Sequence, residues 1–180
     1  MTARPAARRG APARADGPAA VAALQAALAA ENSAVYGYGV AGAHLARGKR
    51  AAAVRNWVAH QNARDALTAM LVARGAQPVA AAAAYELPFG VHGSAAAVAL
   101  ATVLEDRVTA AYLGLVGLSD PALRAFGARA VRTAALRAAA WRGSTLAFPG
   151  LDVPVPGKAG VPKAGRRTTA QASPTPSHSG

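Results

Sequence analysis

Residues 24–42 read LQAALAAENSAVYGYGVAG, and residues 101–112 read ATVLEDRVTAAY. In and around both segments, apolar residues recur at alternating steps of three and four, the spacing of a helix face that packs against other helices. One glutamate interrupts each of these apolar faces, Glu31 in the first segment and Glu105 in the second. A carboxylate in the middle of an apolar stripe indicates a helix bundle with polar groups at its centre.

A tyrosine follows each of these glutamates after seven residues, on the same helix face. The pairs are Glu31–Tyr38 and Glu105–Tyr112, and the second pair repeats the first after 74 residues. This repeat predicts two related helical hairpins that pack around a pseudo-twofold axis.

Glycine and proline divide the centre of the chain into four helical segments. The pattern predicts helices at about 18–47, 49–74, 94–117 and 121–143. Gly48, Gly75 and Gly143 are the expected stops, and Asp16, Ser94 and either Ser119 or Asp120 are the expected N-caps.

The lengths of the three connections predict the topology. Very short links join the first helix to the second and the third to the fourth, so each pair must form an antiparallel hairpin. Residues 76–93 join the second helix to the third, and a segment of this length can run along the whole bundle. We therefore expect an all-α, ferritin-like four-helix bundle with one long crossover and with its second and third helices parallel. A simple up-down-up-down bundle stays open as the alternative.

The composition of the 180-residue chain agrees with a helical domain and excludes several classes of protein. Hydrophobic residues make up 53%, mostly alanine, which favours helices and is poor in strands. There are no cysteines, which excludes disulfide scaffolds, cysteine-based zinc sites and cysteine nucleophiles. No phosphate-binding glycine loop and no spacing typical of a serine–histidine–aspartate triad stands out.

The net charge of +12 has two interpretations. It either reflects the arginine and alanine bias of a genome or indicates attraction to nucleic acid or to an anionic membrane. The charge is spread over the basic arm 1–17, the domain 18–147 and the Pro/Gly/Ser-rich tail 148–180. We expect the arm and the tail to be disordered and dispensable for folding. No apolar run is long enough to span a bilayer and no signal peptide is evident, so the predicted location is the cytoplasm.

The second helix carries polar residues on its packing face. Trp57, His60 and Arg64 lie on one stripe at helical spacing, and Asp65 lies beside it. A buried carboxylate must be paired or protonated, so His60 and Arg64 are the expected partners of the two glutamates.

These features, taken together, resemble the ferritin-like superfamily. The segment 24–42, with HQNARDAL at 60–67, YELPFGV at 85–91 and WRGSTLAFPG at 141–150, resembles more closely an actinobacterial ferritin-like domain family of unknown function. The resemblance covers about residues 19–150.

The superfamily's di-metal site uses one glutamate from each of two helices and Glu-x-x-His from each of the other two. Glu31 and Glu105 match the single glutamates, and His60 matches one histidine. Three other ligand positions carry side chains that cannot bind a metal, namely Trp57, Val131 and Ala134.

Several functions follow as hypotheses. The first is a non-catalytic bundle that binds a partner or assembles with itself, for example as a homo-oligomer, and that needs no cofactor. Its degenerate metal site would form a polar core whose candidate residues are Glu31, Tyr38, His60, Arg64, Asp65, Glu105 and Tyr112. The second is a metal protein that holds one iron or other divalent ion through Glu31, His60 and Glu105. The third is a DNA-associated protein whose basic arm and tail contact phosphates.

Overall fold

The computed structural model describes residues 16–151, and this part of the chain is all-α. Its helices are α1 Gly17–His44, α2 Arg47–Val72, α3 Ser94–Val116 and α4 Pro121–Arg142. The predicted count and order are confirmed for the described residues, and each boundary agrees within a few residues. None of these helices is long and apolar enough to cross a membrane.

The turn between α1 and α2 lies earlier than predicted. Leu45 and Ala46 are extended, and Gly48 lies inside α2 instead of ending α1. Leu45 is buried, and its carbonyl oxygen accepts a hydrogen bond from Arg50 Nε at 2.9 Å. The turn thus begins at the buried Leu45, although Gly48, three residues later, is the stronger local signal.

Side-chain contacts establish the directions of the helices. Glu31 and Tyr38 of α1 bond to Tyr112 and Glu105 of α3, respectively, so residue numbers rise along one helix as they fall along the other. Glu31 also bonds to His60 of α2 and Tyr38 to Asn56, so α1 and α2 are antiparallel as well. It follows that α2 runs parallel to α3, as the short, long and short connections predict.

The long crossover follows α1 from one end of the bundle to the other. The side chain of Gln25 bonds to the backbone of Gln77 and Val79, at 2.6 and 2.8 Å. At the far end, Ser94 Oγ accepts a hydrogen bond from the backbone N–H of Ala46 at 3.1 Å. Ser94 therefore links α3 to the α1–α2 turn, and it makes no side-chain cap on its own helix.

The two aspartates expected as N-caps act differently from each other. Asp120 caps α4, since its Oδ1 accepts hydrogen bonds from the backbone of Ala122 and Leu123. Asp16 makes no side-chain cap on α1, and its Oδ2 accepts instead from the backbone N–H of Asp120 at 2.8 Å. Asp16 thus ties the start of α1 to the α3–α4 turn.

The core has two apolar halves separated by a polar layer. One half contains Leu24, Leu28, Leu67 and Leu115, and the other contains Leu45, Leu100, Leu104 and Trp141. Between them lie Glu31, His60 and Glu105, each at most 2% exposed. The fold therefore holds these three ionisable side chains away from water at the middle of the bundle.

Candidate functional site

His60 lies between the two buried glutamates and contacts both. Its Nδ1 is 2.6 Å from Glu31 Oε2, and its Nε2 is 3.2 Å from Glu105 Oε1. A carboxylate oxygen accepts hydrogen bonds, so both ring nitrogens must carry a proton to make both contacts. The geometry therefore fits a positively charged imidazolium that bridges two carboxylates.

The pKa of His60 agrees with this protonation. Burial alone would lower the pKa, but hydrogen bonds to Glu105 and Glu31 and the negative charges of both outweigh burial and raise it to about 9. At neutral pH the histidine is therefore charged, and it places a positive charge between the two buried glutamates.

Each of the two tyrosines bonds to a glutamate of the other helical hairpin. Tyr38 Oη donates to Glu105 Oε1 at 2.6 Å, and Tyr112 Oη donates to Glu31 Oε1 at 2.8 Å. Burial, and then the adjacent glutamate, raises the pKa of each phenol, so both stay protonated as donors. The sequence repeat thus becomes a reciprocal pair of contacts, in which each tyrosine bonds to the glutamate of the other helix.

Two residues that the sequence analysis did not select complete this cluster. The Tyr38 hydroxyl accepts hydrogen bonds from Asn56 Nδ2 at 3.1 Å and from Trp141 Nε1 at 2.8 Å. Asn56 lies one helical turn before His60, a spacing that the sequence shows. Trp141 was missed because α4 is so rich in alanine that its buried face is poorly marked.

The buried face of α4 does not include Thr133 and Ala140. Those two residues are exposed. The buried residues are Leu123, Gly127, Ala134, Ala138 and Trp141.

Arg64 and Asp65 do not belong to the polar core, and the expectation that Arg64 pairs with a buried glutamate is wrong. Arg64 Nη2 lies 2.8 Å from Asp65 Oδ1, with the two side chains 34% and 66% exposed. Because His60 already contacts both glutamates, Arg64 can keep its charge at the surface, where an ion pair costs little desolvation.

The residues of the core do not fit a bridged pair of metal ions. Trp57 stands where the ferritin-like resemblance would place a ligand carboxylate, and its indole N–H donates to the Val35 carbonyl oxygen at 3.1 Å. Both nitrogens of His60 are already bonded to carboxylates. Among residues 16–151, no group of three or more acidic or histidine side chains is arranged to hold a metal. In the polar core, the buried Oε2 of Glu105 has no hydrogen-bond partner among the described residues.

The basic residues of the described helices are concentrated on two of them. Arginine and lysine occur five times on α2 and five times on α4, whereas α1 has none and α3 has only Arg107. Most of the basic arm and tail, on which nucleic-acid contact was expected, lies outside the described residues.

Comparison with known proteins shows to which family the chain belongs. Residues 23–153 match the model of the family described as "Domain of unknown function (DUF4439)". The chain belongs to this family. No significant match is found among curated proteins.

A solved structure resembles most of this DUF4439 domain. It is the crystal structure of a conserved hypothetical protein from Mycobacterium tuberculosis, with 34% sequence identity and a TM-score of 0.69. The similarity covers 71% of this chain and 97% of the mycobacterial chain. The relationship therefore supports the fold of the DUF4439 domain, and neither description names an activity.

Proposed function

We propose that this DUF4439 domain is a ferritin-like bundle whose metal centre has been replaced by an imidazolium, and that it acts by binding or self-assembly instead of by catalysis. The parallel arrangement of α2 and α3 and the central glutamates of α1 and α3 support a ferritin-like ancestry. The side chains at positions 57, 131 and 134, which cannot bind a metal, support the loss of the metal site.

One observation carries this proposal, the contact of both His60 ring nitrogens with buried carboxylates. A metal ion between Glu31 and Glu105 would neutralise their charges and hold α1 against α3. The imidazolium supplies a positive charge and two directed hydrogen bonds at the same place, so it fulfils the same structural role.

A single divalent ion held by Glu31, His60 and Glu105 is the competing proposal. Within residues 16–151, Glu105 Oε2 has no hydrogen-bond donor, which favours this proposal because such a buried carboxylate oxygen could bind a cation. However, a metal needs a lone pair on a ring nitrogen of His60. The histidine would therefore lose a proton and at least one of its carboxylate contacts.

Nitrogen NMR of the full-length chain, labelled with ¹⁵N histidine at pH 7, distinguishes the two proposals. An imidazolium shows two protonated ring nitrogens, whereas a metal-bound histidine has one unprotonated, metal-shifted nitrogen. We expect the first pattern for His60, unchanged when zinc or ferrous iron is added, with His60→Gln identifying the resonance.

Metal analysis of the same sample provides the second measurement. We expect less than stoichiometric iron, zinc and manganese after dialysis against a chelator. One retained metal ion per chain that disappears in His60→Gln, but not in Arg64→Gln, would overturn the proposal in favour of the metal protein.

A further inference from the structure

A cavity of about 200 Å³ lies beside the polar core, between α2 and α4. α1 packs on α2 and α3, and α3 packs on α4, while α2 and α4 make few contacts with each other. The cavity is thus formed at the open edge of the bundle. Alanines of both helices form part of its walls, and Glu31 and Tyr112 reach it from the core.

The internal repeat explains why this space exists. The interval that relates Glu31 to Glu105 also relates His60 to Ala134, which lines the cavity. The imidazole of His60 fills space in its half of the bundle, whereas the side chain of Ala134 is only a methyl group. The cavity is therefore lined by the residue that corresponds to His60 in the sequence repeat.

Two arginines of α4, Arg129 and Arg137, line the same cavity. Within residues 16–151, neither forms an ion pair with a carboxylate. Arg137 is half-buried, and its positive charge partly opposes the rise of the Tyr112 pKa that burial and Glu31 produce. Its guanidinium thus acts on the groups at the inner end of the cavity.

The remaining walls are apolar except for Thr133, whose hydroxyl donates to the Arg129 carbonyl oxygen at 2.9 Å. Val108 and Phe126 line the cavity together with alanines of α2 and α4. The volume is below the roughly 300–1,000 Å³ of pockets for drug-sized ligands, so only a small molecule fits. Apolar walls disfavour fully hydrated ions such as inorganic phosphate, because the walls cannot replace the lost hydrogen bonds with water.

The charges around the cavity favour a ligand that carries one negative charge. Glu31, at the inner end of the cavity, already has His60 as its partner, and Arg129 and Arg137 add two positive charges. We propose that this cavity binds a small organic carboxylate, with its apolar body against the alanine and phenylalanine walls and its carboxylate on Arg129 and Arg137. Arginine binds a carboxylate through paired N–H donors, which fixes the orientation of the ligand.

Benzoate is a suitable probe, and benzamide is its uncharged control with nearly the same shape. Isothermal titration of the full-length protein at pH 7 should show saturable benzoate binding with a Kd of about 1 mM or tighter. We expect benzamide to bind at least tenfold more weakly, and inorganic phosphate not to compete.

Three variants test the placement of the ligand. Arg137→Gln and Arg129→Gln should each weaken benzoate binding by about tenfold, since each removes a charged donor. Arg132→Gln is the matched control, because Arg132 is an exposed arginine of the same helix that does not line the cavity. Ala130→Leu fills part of the cavity from a half-buried position and should abolish binding while the melting temperature stays nearly unchanged.

Three results would overturn the proposal. They are the absence of saturable benzoate binding up to about 10 mM, equal binding of benzamide and benzoate, and an equal loss of affinity in Arg132→Gln and Arg137→Gln. Metal analysis measures binding at His60 separately, so a failure of this proposal can be distinguished from a failure of the proposed function.

Discussion

His60 is the residue on which the charge balance of the buried core depends. Its removal leaves Glu31 and Glu105 facing each other without a positive charge and with fewer donors. We predict that His60→Gln lowers the free energy of unfolding by about 3–5 kcal/mol at pH 7, the cost typical of breaking a buried ion pair. Urea unfolding monitored by circular dichroism measures this loss.

Arg64→Gln is the control for that experiment. Among the residues that the structure describes, Arg64 pairs only with exposed Asp65, so its loss should change stability by less than about 1 kcal/mol. Equal losses in the two variants would show that the imidazolium has no special role in the core.

The same residue makes stability depend on pH in a defined direction. Histidine in the unfolded chain titrates near 6.5, and the pKa of His60 in the folded protein is about 9. Between these values the folded chain holds one more proton than the unfolded chain, so stability decreases as pH rises. The contribution of His60 is complete below pH 6.5 and is lost as the pH passes through 9.

Urea unfolding at a series of pH values tests this dependence. Between pH 6.5 and 9.5 we expect the free energy of unfolding of the native sequence to fall by an amount of the order of 3 kcal/mol. His60→Gln should show a much flatter profile over this range. An equally steep decline in the variant would assign the effect to another group.

At the scale of helices, glycine permits close packing at particular positions only. A Cβ on Gly127 of α4 would lie 2.7 Å from Leu115 Cβ and 3.2 Å from the Tyr112 carbonyl oxygen of α3. A Cβ on Gly37 would meet the flexible end of Leu104, and one on Gly39 would meet none of the described residues within 4 Å. Close approach of helices thus explains Gly127 and Gly37, whereas Gly39 has no such role.

We predict opposite effects of alanine at two of these positions. Gly127→Ala should lower the free energy of unfolding by about 1–2 kcal/mol net, because overpacking against α3 exceeds the gain in helix propensity. Gly39→Ala should raise the free energy of unfolding by up to about 1 kcal/mol, since it adds helix propensity without a clash. Thermal unfolding of the two variants compares them, and stabilisation by Gly127→Ala would contradict the packing described for α3 and α4.

At the scale of the molecule, contacts at both ends extend the bundle beyond the predicted domain 18–147. Asp16 binds the backbone of Asp120, and a Cβ on Gly150 would lie 2.8 Å from the backbone nitrogen of Ala110 on α3. The folded unit therefore includes short segments that the sequence analysis assigned to the arm and the tail.

Two fragments test where the folded unit ends. Residues 16–151 should melt within a few degrees of the full-length chain, because the fragment keeps both contacts. Residues 18–147 should melt several degrees lower, since about 1 kcal/mol corresponds to roughly 4–8 °C in a small domain. If the fragments melt at the same temperature, the contacts of Asp16 and Gly150 contribute nothing measurable.

The amino-acid sequence by itself determined the number of helices, their connectivity and most of the polar core. Helical spacing and the turn signals are local, so Glu31, Tyr38, His60, Glu105 and Tyr112 could be identified without knowing what they contact. The crossed tyrosine–glutamate bonds, and the choice of His60 over Arg64 as the buried cation, depend on distances between helices and were decided only by the tertiary structure. The same holds for the buried face of α4, because a stripe of alanines gives little contrast between inside and outside. The cavity opposite His60 also required the structure, since a missing side chain creates a space only when its neighbours do not close over it.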